Sequence, residues 1–222
     1  MKKGIILDVD GTLWDGTRAI TDSWNAFREQ YIPELPEPFS ELQMQSVLGK
    51  TMTEIGDIIL GTLPVDRRYD VMERLLQYEV DYMWEHGGTV YPGARECFLK
   101  LREMGFSLYI VSNCQKGYIE DFLHTSGTED LIDDHICFGD TLKPKSESIR
   151  LCVERNSLDW AVYVGDTQGD LDAVIGAQLP CSDAKVPFIF ARYGFGSIDE
   201  SAADLPAIDS LSQLPDLMEA YC

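Results

Sequence analysis

Positive charge is scarce in this 222-residue chain: 18 Lys and Arg stand against 38 Asp and Glu, a formal net charge of -20. A surface this acidic repels nucleic acid and anionic membranes and so excludes both as partners. It also repels phosphorylated molecules at long range. Any phosphate site must therefore hold strong local positive charge, from a metal ion, a lysine or oriented backbone N–H groups. Histidine is scarcer still, with three in the chain. The six cysteines (Cys97, Cys114, Cys137, Cys152, Cys181 and Cys222) form no Cys-x-x-Cys pair. Together these shortages exclude a zinc site. Wide spacing in a chain of this size fits reduced thiols and a cytoplasmic location. Long apolar runs are absent too. Ile5-Ile6-Leu7 is cut by Asp8, too short for a signal-peptide core, and no stretch approaches a membrane span. What is present is ordinary for a globular protein with an ample core: 45% apolar and 25% charged residues.

The pattern divides the chain. Gly4 to Val9 reads as a buried strand ending in a polar, glycine-containing turn. A helix is expected over Thr21 to Tyr31, stopped by Pro33, Pro36 and Pro38. Residues 40–60 read as helical, punctuated by glycines. Asp66 to Trp84 is the clearest helix, with Val71, Leu75, Tyr78 and Tyr82 on one face. Ala94 to Met104 forms another helix, closed by Gly105. From there strands and helices alternate. Strands are expected at 106–111, 136–138, 160–164 and 186–190, and helices at 115–124, 146–155 and 170–177. This alternation predicts an α/β fold with a parallel sheet covered on both faces. The helical residues 15–85 interrupt it as an inserted second domain, leaving 1–14 and 86–222 as the α/β core.

Ligands of open parallel sheets bind beyond the carboxyl ends of the strands. Asp8, Asp10 and Thr12 follow the first strand, and Ser112 and Asn113 follow the strand at 106–111. Lys143 and Pro144 follow 136–138; Gly165, Asp166 and Asp170 follow 160–164. Carboxylates gathered there repel one another unless a divalent cation lies between them, and hard oxygen donors suit Mg²⁺. A carboxylate can attack phosphorus to give an aspartyl phosphate, which water then hydrolyses. Mg²⁺ and Lys143 would neutralise the phosphoryl oxygens, with Thr12, Ser112 and Asn113 as further phosphate contacts. The second carboxylate of the first turn can protonate the leaving alkoxide and later activate water.

This set resembles the haloacid dehalogenase superfamily. Asp8-Val9-Asp10-Gly11-Thr12 matches its first motif, Ser112-Asn113 its second, Lys143-Pro144 its third, and Gly165-Asp166-Thr167-Gln168-Gly169-Asp170 its fourth. The inserted helices resemble a type-1 cap. Ala191-Arg192-Tyr193-Gly194-Phe195-Gly196 is similar to a late segment of the phosphoglycolate-phosphatase-like group. The resemblance implies a Rossmann-like core and assigns roles. Asp8 is nucleophile and metal ligand; Asp10 is general acid/base and a ligand through its carbonyl. Asp166 is a ligand, Asp170 a direct or supporting one, and Ser112 and Lys143 hold the phosphoryl group. Lys143 is preferred to nearby Lys145 because proline follows it, as in the family. The implied reaction is Mg²⁺-dependent hydrolysis of a small phosphorylated metabolite, phosphoglycolate-like by the resemblance to that group.

Other chemistries of the superfamily stay open. Dehalogenases and phosphonate hydrolases lack a carboxylate at the position of Asp10, which argues against both. A phosphonate hydrolase also needs a cap lysine, for which Lys50 is the candidate; Lys50 is otherwise a cap substrate contact or a solvated lysine. A phosphomutase would share every core residue. An idle interaction protein on this fold would be expected to lack one. Nothing in the residues specifies the oligomeric state.

Overall fold

A computed structural model describes residues 1–181, 187–199 and 205–221. Its centre is β1 (Lys3–Leu7), whose Ile5, Ile6 and Leu7 are wholly buried. A strand this apolar on both faces belongs inside a parallel sheet. β1 lies between β4 (Ser107–Ser112) and β6 (Trp160–Gly165), with Leu7 paired to Ile110 on one side and Val164 on the other. β5 (Asp134–Cys137) extends the sheet beyond β4; β7 (Phe188–Ala191) and β8 (Ala207–Ile208) extend it beyond β6. The order is β5-β4-β1-β6-β7-β8, every neighbouring pair parallel. The register matters for function: Asp8, Ser112 and Asp166 all emerge at one edge.

Helices cover the sheet. The α/β half contains α5 (Ala94–Glu103), α6 (Tyr118–Ser126), the single turn α7 (Phe138–Thr141), α8 (Lys145–Asn156), α9 (Gln168–Ala177) and α10 (Leu214–Met218). The expected parallel α/β sheet is therefore present. Of the strand read at 186–190, Val186 lies outside the described residues.

Before this half comes a two-stranded antiparallel ribbon, β2 (Trp14–Asp15) with β3 (Thr89–Val90). Between its strands run α1 (Thr17–Tyr31), α2 (Glu41–Gln45), α3 (Met52–Ile59) and α4 (Val65–His86). The stretch 40–60, read as helical, holds two helices. Each starts at its own capping box, Ser40 with Gln43 and Thr51 with Glu54, which satisfies the free N–H groups of a short helix. α4 packs on α1 through the rings of Tyr78 and Phe27, 5.6 Å apart. Its buried positions are Val71, Met72, Leu75, Glu79 and Met83. Tyr78 and Tyr82 of the expected apolar face are only half-buried, and a glutamate occupies the buried stripe. None of these helices is long and apolar enough to cross a membrane among the described residues.

Candidate active site

The strand β1 ends at Leu7, and the next five residues form a tight turn. The N–H groups of Thr12, Leu13 and Trp14 all return to the Val9 carbonyl. Gly11 has a φ of 77°, and a Cβ there would run into the Asp166 carboxylate. Only glycine fits both conditions. The turn buries Asp8 and Asp10 side by side at the sheet edge.

Oxygens of Asp8, Asp166 and Asp170 lie within 4.8 Å of one another, and all three residues are buried. α9 fixes Asp170. Thr167 caps the helix, and its N–H and hydroxyl donate to Asp170 Oδ2 at 3.0 and 2.7 Å. Asp166 Oδ2 accepts from the Gly196 N–H at 2.8 Å, whereas its Oδ1 is buried without a hydrogen-bond partner. The 191–196 segment thus packs on the acidic cluster, and the Tyr193 hydroxyl donates to the Thr12 carbonyl at 2.7 Å.

The cation beside these acids is Lys145. Its ammonium donates to Asp8 Oδ1 at 2.8 Å and to Asp170 Oδ1. Burial works against its charge, but Asp170 and Asp8 outweigh burial and hold its pKa well above the ordinary value. Lys143, the sequence-based choice, does not reach the cluster. Its ammonium stands 3.6 Å from Glu147, with 55% of the side chain exposed. Helix geometry explains the difference. Pro144 ends the extended chain and α8 begins at Lys145, and a side chain in the first helical turn leans back toward the helix N-terminus. That end of α8 faces the carboxyl edge of the sheet, so Lys145 meets Asp8. The proline marked the right turn, but the lysine after it points inward.

Burial raises Asp8 to about 6, helped by the charge of Asp170 and opposed by Lys145. Burial likewise raises Asp166 to about 8, with Asp8 and Asp170 adding to it. One ammonium among three carboxylates leaves an excess of negative charge. The oxygen-only donor set and the orphaned Asp166 Oδ1 fit a hard divalent cation, which would relieve that excess.

Asp10 has a different partner. The Tyr118 hydroxyl donates to its Oδ1 at 2.7 Å. Burial lifts the Asp10 carboxyl to about 7 against this bond, with the charges of Asp8 and Glu79 also raising it. The Tyr118 hydroxyl stays protonated, since burial and the charge of Asp10 push its pKa far up. Sequence reasoning passed over Tyr118, whose position one residue after Gly117 at the start of α6 carries no signal by itself.

Asp8, Asp10, Ser112 and Asn113 line a cavity of about 30 Å³ that continues between α1, α3 and α4. Thr12 is fully buried and not among the lining residues, so it offers no contact there. Asn113 Nδ2 donates to the Gly49 carbonyl at 2.9 Å, tying the loop after β4 to the loop before α3. Lys50 follows Gly49 at the rim, its side chain exposed. Glu79 lines the same cavity and was missed. Its signal was available as a charge among the i, i+3 and i+4 apolar positions of α4.

The haloacid dehalogenase-like hydrolase family model matches residues 2–178. The chain belongs to that family. A phosphoglycolate phosphatase of Cupriavidus necator is 26% identical over 225 residues, covering 96% of this chain and 92% of that protein. The phosphoglycolate phosphatase of Rhodospirillum rubrum is 26% identical over 220 residues, covering 94% and 86%. Among solved structures, CbbY from Rhodobacter sphaeroides in complex with phosphate superimposes with a TM-score of 0.75 at 19% identity, over 96% of each chain. A haloacid dehalogenase-like family protein of Streptococcus pneumoniae does so with 0.73 at 17%, over 100% and 98%. Such identities show a shared fold. With the family and these relatives, the chain is a phosphatase acting on a small phosphorylated substrate.

Proposed function

We propose that the reaction runs through an aspartyl phosphate on Asp8. The observation that carries this is the position of Lys145, whose ammonium bridges Asp8 and Asp170 at the sheet edge where Asp10 also emerges. Lys145 holds Asp8 in place and keeps it ionised enough to attack, while its charge offsets the approach of an anionic phosphoryl group. The Ser112 hydroxyl holds a phosphoryl oxygen. Asp10 carries a proton at neutral pH more readily than an ordinary carboxyl. It can give that proton to the leaving oxygen and then take one from the water that opens the phosphoenzyme. Tyr118 occupies one Asp10 oxygen and leaves the other for these transfers.

Asp8, Asp166 and Asp170, with the Asp10 carbonyl, would hold Mg²⁺. Bound there, the ion supplies charge that screens the repulsion between Asp8 and the phosphoryl oxygens. We read residues 15–85 as a cap domain whose helices close over the sheet edge, supported by the β2–β3 ribbon at the crossings and the Asn113–Gly49 bond across the seam. A cytoplasmic location is supported by the five described cysteines, all of them free.

The test is hydrolysis of p-nitrophenyl phosphate with and without Mg²⁺. Turnover should vanish in chelator and return when Mg²⁺ is restored. Turnover indifferent to chelator overturns the metal part of this reading.

A further inference from the structure

On the α4 side of the cavity lies Glu79, close enough for its charge to act on Asp10. It is buried on α4, with Trp24 Nε1 donating to Oε2 and Gln115 Nε2 donating to Oε1 at 2.7 Å. A buried carboxylate is costly, and apolar residues of similar size commonly replace one without loss of stability. Here Ile20, Met44, Val47, Leu48 and Ile55 already provide apolar walls. Glu79 is therefore the ionisable group on this side of the lining, set with its donors Trp24 and Gln115 among apolar walls. Both of its protein partners donate to it, and a carboxylate oxygen accepts two hydrogen bonds, so acceptor capacity remains on each oxygen.

No cation among the described lining residues answers this charge. Lys145 is engaged by Asp8 and Asp170 and does not line the cavity. Lys50 does, but its side chain is exposed and its charge acts on the Glu54 carboxylate at the start of α3. A substrate carboxylate placed on this side would meet a like charge in a low-dielectric setting.

Resting on the reading of the site as a phosphatase, we propose that Glu79 is a specificity residue. Its carboxylate favours phosphomonoesters whose leaving group carries a hydrogen-bond donor and disfavours those whose leaving group carries a carboxylate. Hydroxyl and ammonium groups share the required chemistry. The preference would set this chain apart from the relatives named as phosphoglycolate phosphatases, since the leaving group of phosphoglycolate is a hydroxy acid.

The test compares kcat/KM for glycerol phosphate, ethanolamine phosphate and phosphoglycolate at pH 8 with Mg²⁺. At least one donor-bearing ester should exceed phosphoglycolate by about tenfold or more, the size of one lost or repelled polar contact. Preference for glycerol phosphate assigns the donor as hydroxyl, and preference for ethanolamine phosphate assigns it as ammonium. In Glu79→Gln the ratio should collapse toward one. Phosphoglycolate turned over as well as the others by the wild type overturns the proposal, as does an unchanged ratio in the variant. If the variant does not fold, the wild-type ratio decides. Dissociation constants of the same esters for Asp8→Asn read the preference without turnover. Absence of hydrolysis of all three esters by the wild type counts against the phosphatase reading, while the order of affinities still judges Glu79.

Discussion

At the sheet end of the cavity, Asp8 and Asp170 share the ammonium of Lys145. At the helical end, Glu79 is held by Trp24 and Gln115, both neutral donors. The first arrangement gathers charge of both signs around one oxygen cluster and still leaves Asp166 Oδ1 without a partner. The second solvates a single charge with dipoles in the wall of the cavity. The comparison separates two tasks. Chemistry at phosphorus needs crowded charge that a cation and a phosphoryl group complete, whereas selection needs one well-placed group that prefers some leaving groups to others.

The largest effect should fall on the sheet end. Asp8→Asn keeps volume and removes the nucleophile, so kcat for p-nitrophenyl phosphate should drop by ~10⁴-fold or more. The folded state should persist by circular dichroism. Retained turnover would move the nucleophile elsewhere and dissolve the distinction between the two ends.

The two lysines give the next contrast. Lys145→Met should cost about 10²–10³-fold in kcat, the scale of losing a charge aimed at the transition state. It also strands two buried carboxylates, which should lower stability by roughly 3–5 kcal/mol in chemical denaturation. Lys143→Ala, on an exposed side chain 3.6 Å from Glu147, should change stability by no more than about 0.5 kcal/mol and kcat hardly at all. Equal losses for the two variants would break the assignment.

The helical end predicts a pH signature. Burial raises Glu79 from 4.5 to about 7, so the folded protein binds a proton that the unfolded chain has already lost across that window. Its contribution to stability is thus greatest below about 4.5 and falls as pH rises toward 7. Glu79→Gln cannot titrate. Metal-free urea unfolding at pH 5 and pH 7.5 should show the variant gaining on the wild type as pH rises, by up to roughly 3 kcal/mol. A gap that does not move with pH would remove the buried charge from the account.

The smallest effect belongs to the seam between the ends. Asn113→Ala deletes the 2.9 Å bond to the Gly49 carbonyl. KM should rise several-fold, in line with about 1 kcal/mol for one hydrogen bond, with kcat changing less. A larger fall in kcat than in affinity would place Asn113 in the chemistry instead.

Sequence and structure agree most closely where a motif is local. Asp8 and Asp10 sit in one turn, and Asp166 and Asp170 sit on one helix start, so spacing alone carries their proximity. The parallel sheet was legible because its central strands are apolar on both faces. Lys145 was not, since choosing between two lysines around Pro144 depends on which one the first turn of α8 aims at the sheet. Tyr118 and Glu79 were hidden for a different reason. Each meets its partner across a long sequence separation, Tyr118 with Asp10 over 108 residues and Glu79 with Trp24 over 55. Only packing of the helices against the sheet edge brings those pairs together. Splitting residues 40–60 into two helices was readable in principle, because Ser40 with Gln43 and Thr51 with Glu54 are both start signals.

The most direct test is chemical trapping of the phosphoenzyme. Protein mixed with ³²P-labelled aryl phosphate and Mg²⁺, then quenched in acid within one turnover, should carry label on the peptide containing Asp8. Hydroxylamine, which cleaves acyl phosphates, should release it. The same protein turning over substrate with no trapped label, or with label on a peptide lacking Asp8, would contradict the account.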